Sequence, residues 1–164
     1  MTAGGKQKNK QGQSPPAADG AGIQYGPLQH WIGFNLRMAQ AASFQAFSRR
    51  SKDIGLRPGR FATLTLIGQN PGISQTALSR ANGRDKSTLT PLIADLVRKR
   101  LVRRVREVDD RRSYGLTLTP AGEKMLAQLT ECARQHEEDL DRTVGRRERA
   151  QFLAVLKKLA DALG

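Results

Sequence analysis

The sequence holds one cysteine, Cys132, so no disulfide can close within the chain. That fits a reducing compartment such as the cytoplasm. Histidine is nearly as scarce, with His30 and His136 far apart, which gives a metal site little to build on. No nucleophile and base stand at catalytic spacing, so neither an enzyme nor a cofactor is expected. No apolar run approaches the ~20 residues needed to span a bilayer. The N-terminus is basic but has no apolar core behind it, so it does not read as a secretory signal. Aromatics make up only 5% of the chain and do not interleave with its basic runs, which speaks against single-stranded RNA as a partner. Acidic residues are also short: 15 Asp and Glu against 28 Lys and Arg, a formal charge of +13. A polyanion is the natural partner, nucleic acid first and an anionic membrane second. The plainer alternative is a soluble basic protein.

What is present reads in order. Residues 1–22 are Gly, Gln, Lys, Ser and Pro with little to bury, which predicts a disordered basic tail. From Leu28 to Arg50, Leu28, Ile32, Leu36 and Ala39 recur at helical spacing, while Trp31 and Phe34 lie off that row. A helix apolar on more than one side needs more than one partner surface. Pro58 fits the first turn of a second helix that carries Phe61, Leu64 and Ile67 inward. Asn70-Pro71-Gly72 turns the chain, and Ser74 is placed to cap a short third helix with Ala77, Leu78 and Ala81 inside. Asn82-Gly83 turns again. A fourth helix then holds Leu89, Leu92, Ile93, Leu96 and Val97 on one side, with Asp85, Ser87 or Thr88 as cap and Pro91 within or just after its first turn.

Leu101–Val108 and Tyr114–Thr119 read as two short strands around a turn near Asp109–Arg112. Thr119 and Pro120 restart helix as cap and first residue. Met125, Leu129, Cys132 and His136 continue one stripe, in which Cys132 reads as packing rather than as a reactive thiol. Gly145 interrupts, and Phe152, Leu156, Leu159 and Leu163 mark a last amphipathic helix. The fold class is therefore mainly α with a small β-hairpin wing. It combines a winged helix-turn-helix with a helical dimerisation region. The expected organisation is a tail at 1–22 and one domain at 23–164, in which 55–119 is the winged-helix lobe and 23–50 and 120–164 are dimerisation helices. A second copy is the economical cover for those long apolar faces.

With these residues in view, the chain resembles the MarR family of transcription regulators. Asp110-Arg111-Arg112, five further residues, then Leu118-Thr119-x-x-Gly122 is similar to the wing signature of that family. Asp85-Lys86-Ser87-Thr88-Leu89-Thr90-Pro91-Leu92 looks like the start of its recognition helix. Leu56-Arg57-Pro58 and Asn70-Pro71-Gly72-Ile73-Ser74-Gln75 fall where family members have similar segments. The sequence departs from the pattern at three sites. Arg100 stands where the family commonly ends a helix on glycine, and a left-handed cap without glycine costs about 1 kcal/mol. Arg57 stands where a Thr-type cap often precedes the proline, and Glu107-Val108 replace the usual Asp-Pro.

The resemblance implies a cytoplasmic homodimer that binds a pseudo-palindromic DNA duplex. Arg111 and Arg112 would sit at the wing tip and enter a narrow minor groove or grip phosphate, with Asp110 bracing Arg112. A solvated charged turn is the simpler reading. Lys86, Ser87, Thr88, Thr90 and Pro91 are available to a major groove, and Ser74 and Gln75 to a phosphate at the preceding helix start. Capping alone would also explain the hydroxyls. His30, Trp31, Phe34, Arg37 and Met38 gather on the first helix, where family members often bind small aromatic anions. Arg37, His30 and Arg60 would hold a carboxylate or phosphate, and Trp31 and Phe34 would stack on a ring. A dimer interface explains the same cluster equally well. The expected function is a repressor released by a small aromatic acid or its coenzyme A thioester. A constitutive regulator without ligand, and a winged helix used as a protein or RNA scaffold, are the alternatives.

Overall fold

The computed structural model describes residues 23–54, 58–106 and 114–163. The expectations for the tail at 1–22, for Leu56 and Arg57, and for the turn from Glu107 to Arg112 lie outside the described residues. Six helices are present among them: α1 (Ile32–Arg50), α2 (Pro58–Gln69), α3 (Gln75–Ala81), α4 (Lys86–Arg98), α5 (Pro120–Val144) and α6 (Arg149–Leu163). Three short strands, β1 (Ile73–Ser74), β2 (Val102–Arg106) and β3 (Tyr114–Leu118), form an antiparallel sheet in the order β1-β3-β2. This is the expected winged helix-turn-helix with further helices. Among the described residues no helix is long and apolar enough to cross a membrane. The described residues divide between Arg37 and Met38 into two compact units, and Ile32–Arg50 includes residues of both.

In the first unit, helix does not begin at Leu28 as the spacing predicts. Gly26–His30 is a tight 3-10 turn with Pro27 in its first turn, and Trp31 is extended at φ −89°, ψ 127°. Gly26 has φ +54°, a value glycine adopts without strain. The Leu28 N–H bonds to the Tyr25 carbonyl at 3.2 Å, which closes the turn before α-helix can start. Asn35 then donates its side-chain amide to the carbonyls of Gln29 (3.0 Å) and Trp31 (2.9 Å), tying the turn to the first turn of α1. The Phe34 ring lies 5.6 Å from Tyr25 and 5.6 Å from the Arg37 guanidinium.

The second unit is built on one apolar core. Leu64 and Ile67 of α2, Leu78 of α3, Leu89, Ile93 and Leu96 of α4 and Leu129 of α5 are fully buried. Val102, Leu116 and Leu118 close the core from the sheet. Truncating one such leucine or isoleucine to alanine costs about 2–5 kcal/mol. The third helix contributes less than its sequence suggests, since Ala77 and Ala81 are exposed and Leu78 alone is buried. Phe47 of α1 joins the helices, stacked on Phe61 at 5.7 Å and edge-on to His136 at 5.8 Å. His136 is buried, and its Nε2 shares a 2.9 Å hydrogen bond with the Ser43 hydroxyl. Arg50 of α1 and Asp139 of α5 form an ion pair. Cys132 is half-buried rather than deep in the stripe, with its Sγ 3.8 Å from the Arg50 carbonyl. By contrast, α6 has no buried residue, and Phe152, Leu153 and Val155 are exposed.

Two local features explain how α4 hands over to the sheet. The Arg100 N–H bonds to the Val97 carbonyl and the Leu101 N–H to the Leu96 carbonyl, both at 2.9 Å, with Arg100 at φ +57°. This is the paired termination that usually takes glycine in the left-handed position. Thr119 then donates its hydroxyl to the Arg100 carbonyl at 2.6 Å and accepts the Gly122 N–H at 3.0 Å, capping α5 against the end of α4. Gly122 packs so closely on the Leu101 carbonyl that a Cβ there would collide with it. The Leu118-Thr119-x-x-Gly122 pattern is thus a device that docks α5 onto the exit from α4. The strand β1 was not foreseen, being only two residues long. Gly115 lets it approach, since a Cβ at that position would sit 2.6 Å from the Gly72 carbonyl.

Candidate DNA-recognition surface

The start of α3 and the start of α4 form a connected polar surface. Ser74 caps α3, its hydroxyl accepting the Ala77 N–H at 3.2 Å. Gln75 donates its side-chain amide to Thr90 Oγ1 at 2.7 Å, and Thr90 donates in turn to the Lys86 carbonyl at 2.7 Å. Asp85 is the cap of α4. One of its oxygens accepts the Ser87 hydroxyl and the Thr88 N–H, each at 2.7 Å. The Ser87 hydrogen bond first, and the Thr88 amide second, hold the Asp85 carboxyl below its ordinary value. The turn between the helices is fixed by the Ser79 hydroxyl on the Arg84 carbonyl (2.5 Å) and by the Asn82 amide on Thr63 Oγ1 (2.9 Å).

Lys86, Ser87, Thr88, Thr90 and Pro91 are all exposed, whereas Ser74 and Gln75 are half-buried. Pro91 stands sixth in α4, in its second turn, where its missing N–H leaves the Ser87 carbonyl without a helical partner. Beyond the helix, β2 presents Arg103, Arg104 and Arg106, all exposed. Arg106 pairs in register with Tyr114 and lies 5.9 Å from its ring. Among the described residues, none of these three arginines is in an ion pair with a carboxylate. Asp110, Arg111 and Arg112 lie outside the described residues.

The residues expected at a ligand site are distributed differently from the sequence reading. His30 ends the 3-10 turn and Trp31 is 58% exposed in the extended link, so both precede α1 instead of lying on it. Phe34 and Arg37 meet on the first unit's part of α1, and Met38 is exposed at the start of the second unit. Arg60 is paired with Asp95 of α4 at 2.5 Å. Burial raises the Asp95 carboxyl, but Arg60, Lys99 and Arg98 together bring it below its ordinary value. Within the second unit, α1, the first turn of α2 and α4 enclose a cleft of about 730 Å³. Its walls include Phe44, Arg49, Arg60, Arg84, Leu92 and Asp95. Sequence reading missed this cleft because Arg49 and Arg84 stand on opposite sides of α2 and α3.

The chain matches the MarR family model over residues 54–113. It is 33% identical over 146 residues to a Thauera aromatica protein named as a transcriptional regulatory protein for the hcr operon, covering 88% of each chain. It is 30% identical over 103 residues to the transcriptional regulator HosA of Escherichia coli O111:H-, covering 63% of this chain and 76% of HosA. Among solved structures, the transcriptional repressor CouR bound to a 23-mer DNA duplex is similar, with a TM-score of 0.77 and 30% identity over 85% of this chain and 99% of CouR. CouR bound to p-coumaroyl-CoA gives a TM-score of 0.77 at 29% identity, over 84% of this chain and 97% of CouR. The winged helix-turn-helix agrees with these likenesses, and the protein belongs to the MarR family of transcriptional regulators.

Proposed function

We propose that the protein is a homodimeric, DNA-binding repressor of the cytoplasm, released from its operator by a small organic anion. The observation that carries the DNA reading is an exposed, hydrogen-bonded polar helix start (Lys86 to Thr90), together with β2 arginines that, among the described residues, are in no ion pair with a carboxylate. Short polar side chains let α4 enter a major groove, while the arginines meet phosphate beside it. From the sequence pattern, Arg111 and Arg112, with Asp110 as brace, are further candidates to contact the duplex. The DNA-bound CouR structure supports this reading. Dimerisation is supported by α6, whose Phe152, Leu153 and Val155 are exposed in the single chain.

Release by an aromatic acid or its thioester is supported by CouR bound to p-coumaroyl-CoA. His30, Trp31, Phe34, Arg37, Met38 and Arg60 are the sequence candidates for holding such a molecule. A constitutive regulator is the second reading, favoured by the exposure of Trp31 and Met38, which a partner subunit would also cover. Sedimentation and gel shift on the full chain test the proposal. A dimer whose DNA affinity falls steeply with salt, as counterion release requires, supports it. A monomer at micromolar concentration, or binding indifferent to salt, contradicts it.

A further inference from the structure

We propose that Asp95 is a specificity residue of the DNA-binding surface. By way of Arg60 it holds α4 in place against α2, and by way of Arg98 and Lys99 it damps the attraction to phosphate that carries no sequence information. This role rests on the reading that α4 enters the major groove. Asp95 is the one acid in Lys86–Arg98, in a chain of net charge +13. An acid on a helix that meets DNA lowers affinity by itself, so its contacts decide what it is there for. The inner side of α4 is fixed by the core, where Leu89, Ile93 and Leu96 are fully buried. The neighbouring flank is not packed in this way, since Pro91, Leu92 and Asp95 line the cleft there. The bridge on that flank is ionic. Arg60 Nη2 lies 2.5 Å from Asp95 Oδ2, with the arginine side chain 24% and the carboxylate 12% exposed. A pair so far withdrawn from water is weakly screened, and loss of one partner strands the other. Its geometry therefore bears on where α4 lies, as a fully exposed pair would not.

The same carboxylate serves two cations at the end of its own helix. Arg98 pairs with Oδ1, and Lys99 Nζ lies 3.7 Å from Oδ2. By helical spacing Arg98 shares the outward face of α4 with Ser87 and Pro91. Without Asp95, three cations would crowd this end of α4 and draw phosphate of any sequence. Binding of that kind is electrostatic and falls with salt, so it dilutes the preference for one site over another.

Fluorescence anisotropy on the full chain tests the role. The probes are a duplex that the parent chain enriches from a random pool and a shuffled duplex of the same composition. Asp95→Asn keeps the shape of the side chain and removes its charge. The ratio of its two affinities should fall about tenfold. Its salt dependence on the shuffled duplex should steepen by about 0.9, the increment for one further phosphate neutralised. Arg60→Gln cuts the bridge and leaves the other two pairs, so the ratio should fall about as far with no steepening. The double variant should lose no more of the ratio than Asp95→Asn alone, because both changes act through one bridge. Asp95→Glu, which keeps the charge, should restore the parent salt dependence. Thermal melting of each variant reads the fold. If Asp95→Asn unfolds, Arg60→Gln decides the ratio, and Arg98→Gln in the parent chain should leave the salt dependence unchanged; a fall of about 0.9 there overturns the role. Equal weakening on both duplexes with an unchanged salt dependence means a merely structural residue and overturns it too, as does additive loss in the double variant. If the parent chain enriches no duplex, the DNA reading falls and the role of Asp95 with it. If the parent discriminates and Asp95→Asn discriminates equally, only the role of Asp95 falls.

Discussion

Gln75 holds Thr90 by a 2.7 Å hydrogen bond, so the first residue of α3 and the exposed face of α4 are joined before any DNA arrives. The Thr90 hydroxyl donates to the Lys86 carbonyl, which fixes which way its remaining lone pair points. An ordered polar face loses less side-chain entropy on binding than a free one.

Gln75→Ala should therefore weaken DNA binding while leaving the fold intact. One exposed hydrogen bond is worth about 0.5–1.5 kcal/mol, so the dissociation constant should rise roughly 3- to 10-fold. Fluorescence anisotropy with a labelled duplex reads the affinity, and thermal melting reads the fold. An unchanged affinity would mean that the Gln75 bridge does not organise the DNA-binding face.

Arg100 should be replaceable to advantage. It holds φ +57° in the left-handed position after α4, where glycine is at ease. Arg100→Gly should stabilise the protein by about 1 kcal/mol, less the extra entropy glycine brings to the unfolded chain. Urea denaturation should show a higher midpoint with an unchanged slope. A lower midpoint would mean that the Arg100 side chain contributes more than its backbone strain costs.

Asp85 sets the acid limb of stability for α4. Its carboxyl is held below the ordinary value near 3.8 by Ser87 and Thr88. The charged form is thus favoured in the folded state. The stabilisation is present above about pH 4 and is lost as pH falls through the folded value. Asp85→Asn keeps a capping oxygen but removes the titration. Urea midpoints at pH 7, 4 and 3 should fall less steeply for the variant than for the parent chain. Parallel slopes would show that Asp85 is not the titrating cap.

Much of this fold is legible in sequence because helical spacing reports burial. Leu89, Ile93 and Leu96 recur at that spacing and are all fully buried. Thr119 and Pro120 announce the start of α5 by side-chain chemistry alone. Other features depend on tertiary context. The start of α1 moves to Ile32 because the Pro27 turn and the Asn35 side chain compete with helix. Ala77 and Ala81 match the spacing of an inner face, yet α3 is too short to turn more than Leu78 inward. The two-residue strand β1 has no periodicity to read and exists because Gly115 admits it. Arg49 and Arg84 become neighbours across a cleft only once α2 and α3 have folded between them.

The central claim is that two copies of this chain read a duplex through their α4 helices. Selection of bound duplexes from a random pool by the full chain tests it most directly. The account predicts enrichment of a pseudo-palindrome whose half-site centres lie about 34 Å, one helical turn, apart. Enrichment of a single unrepeated half-site, or of no sequence above the input pool, would contradict it.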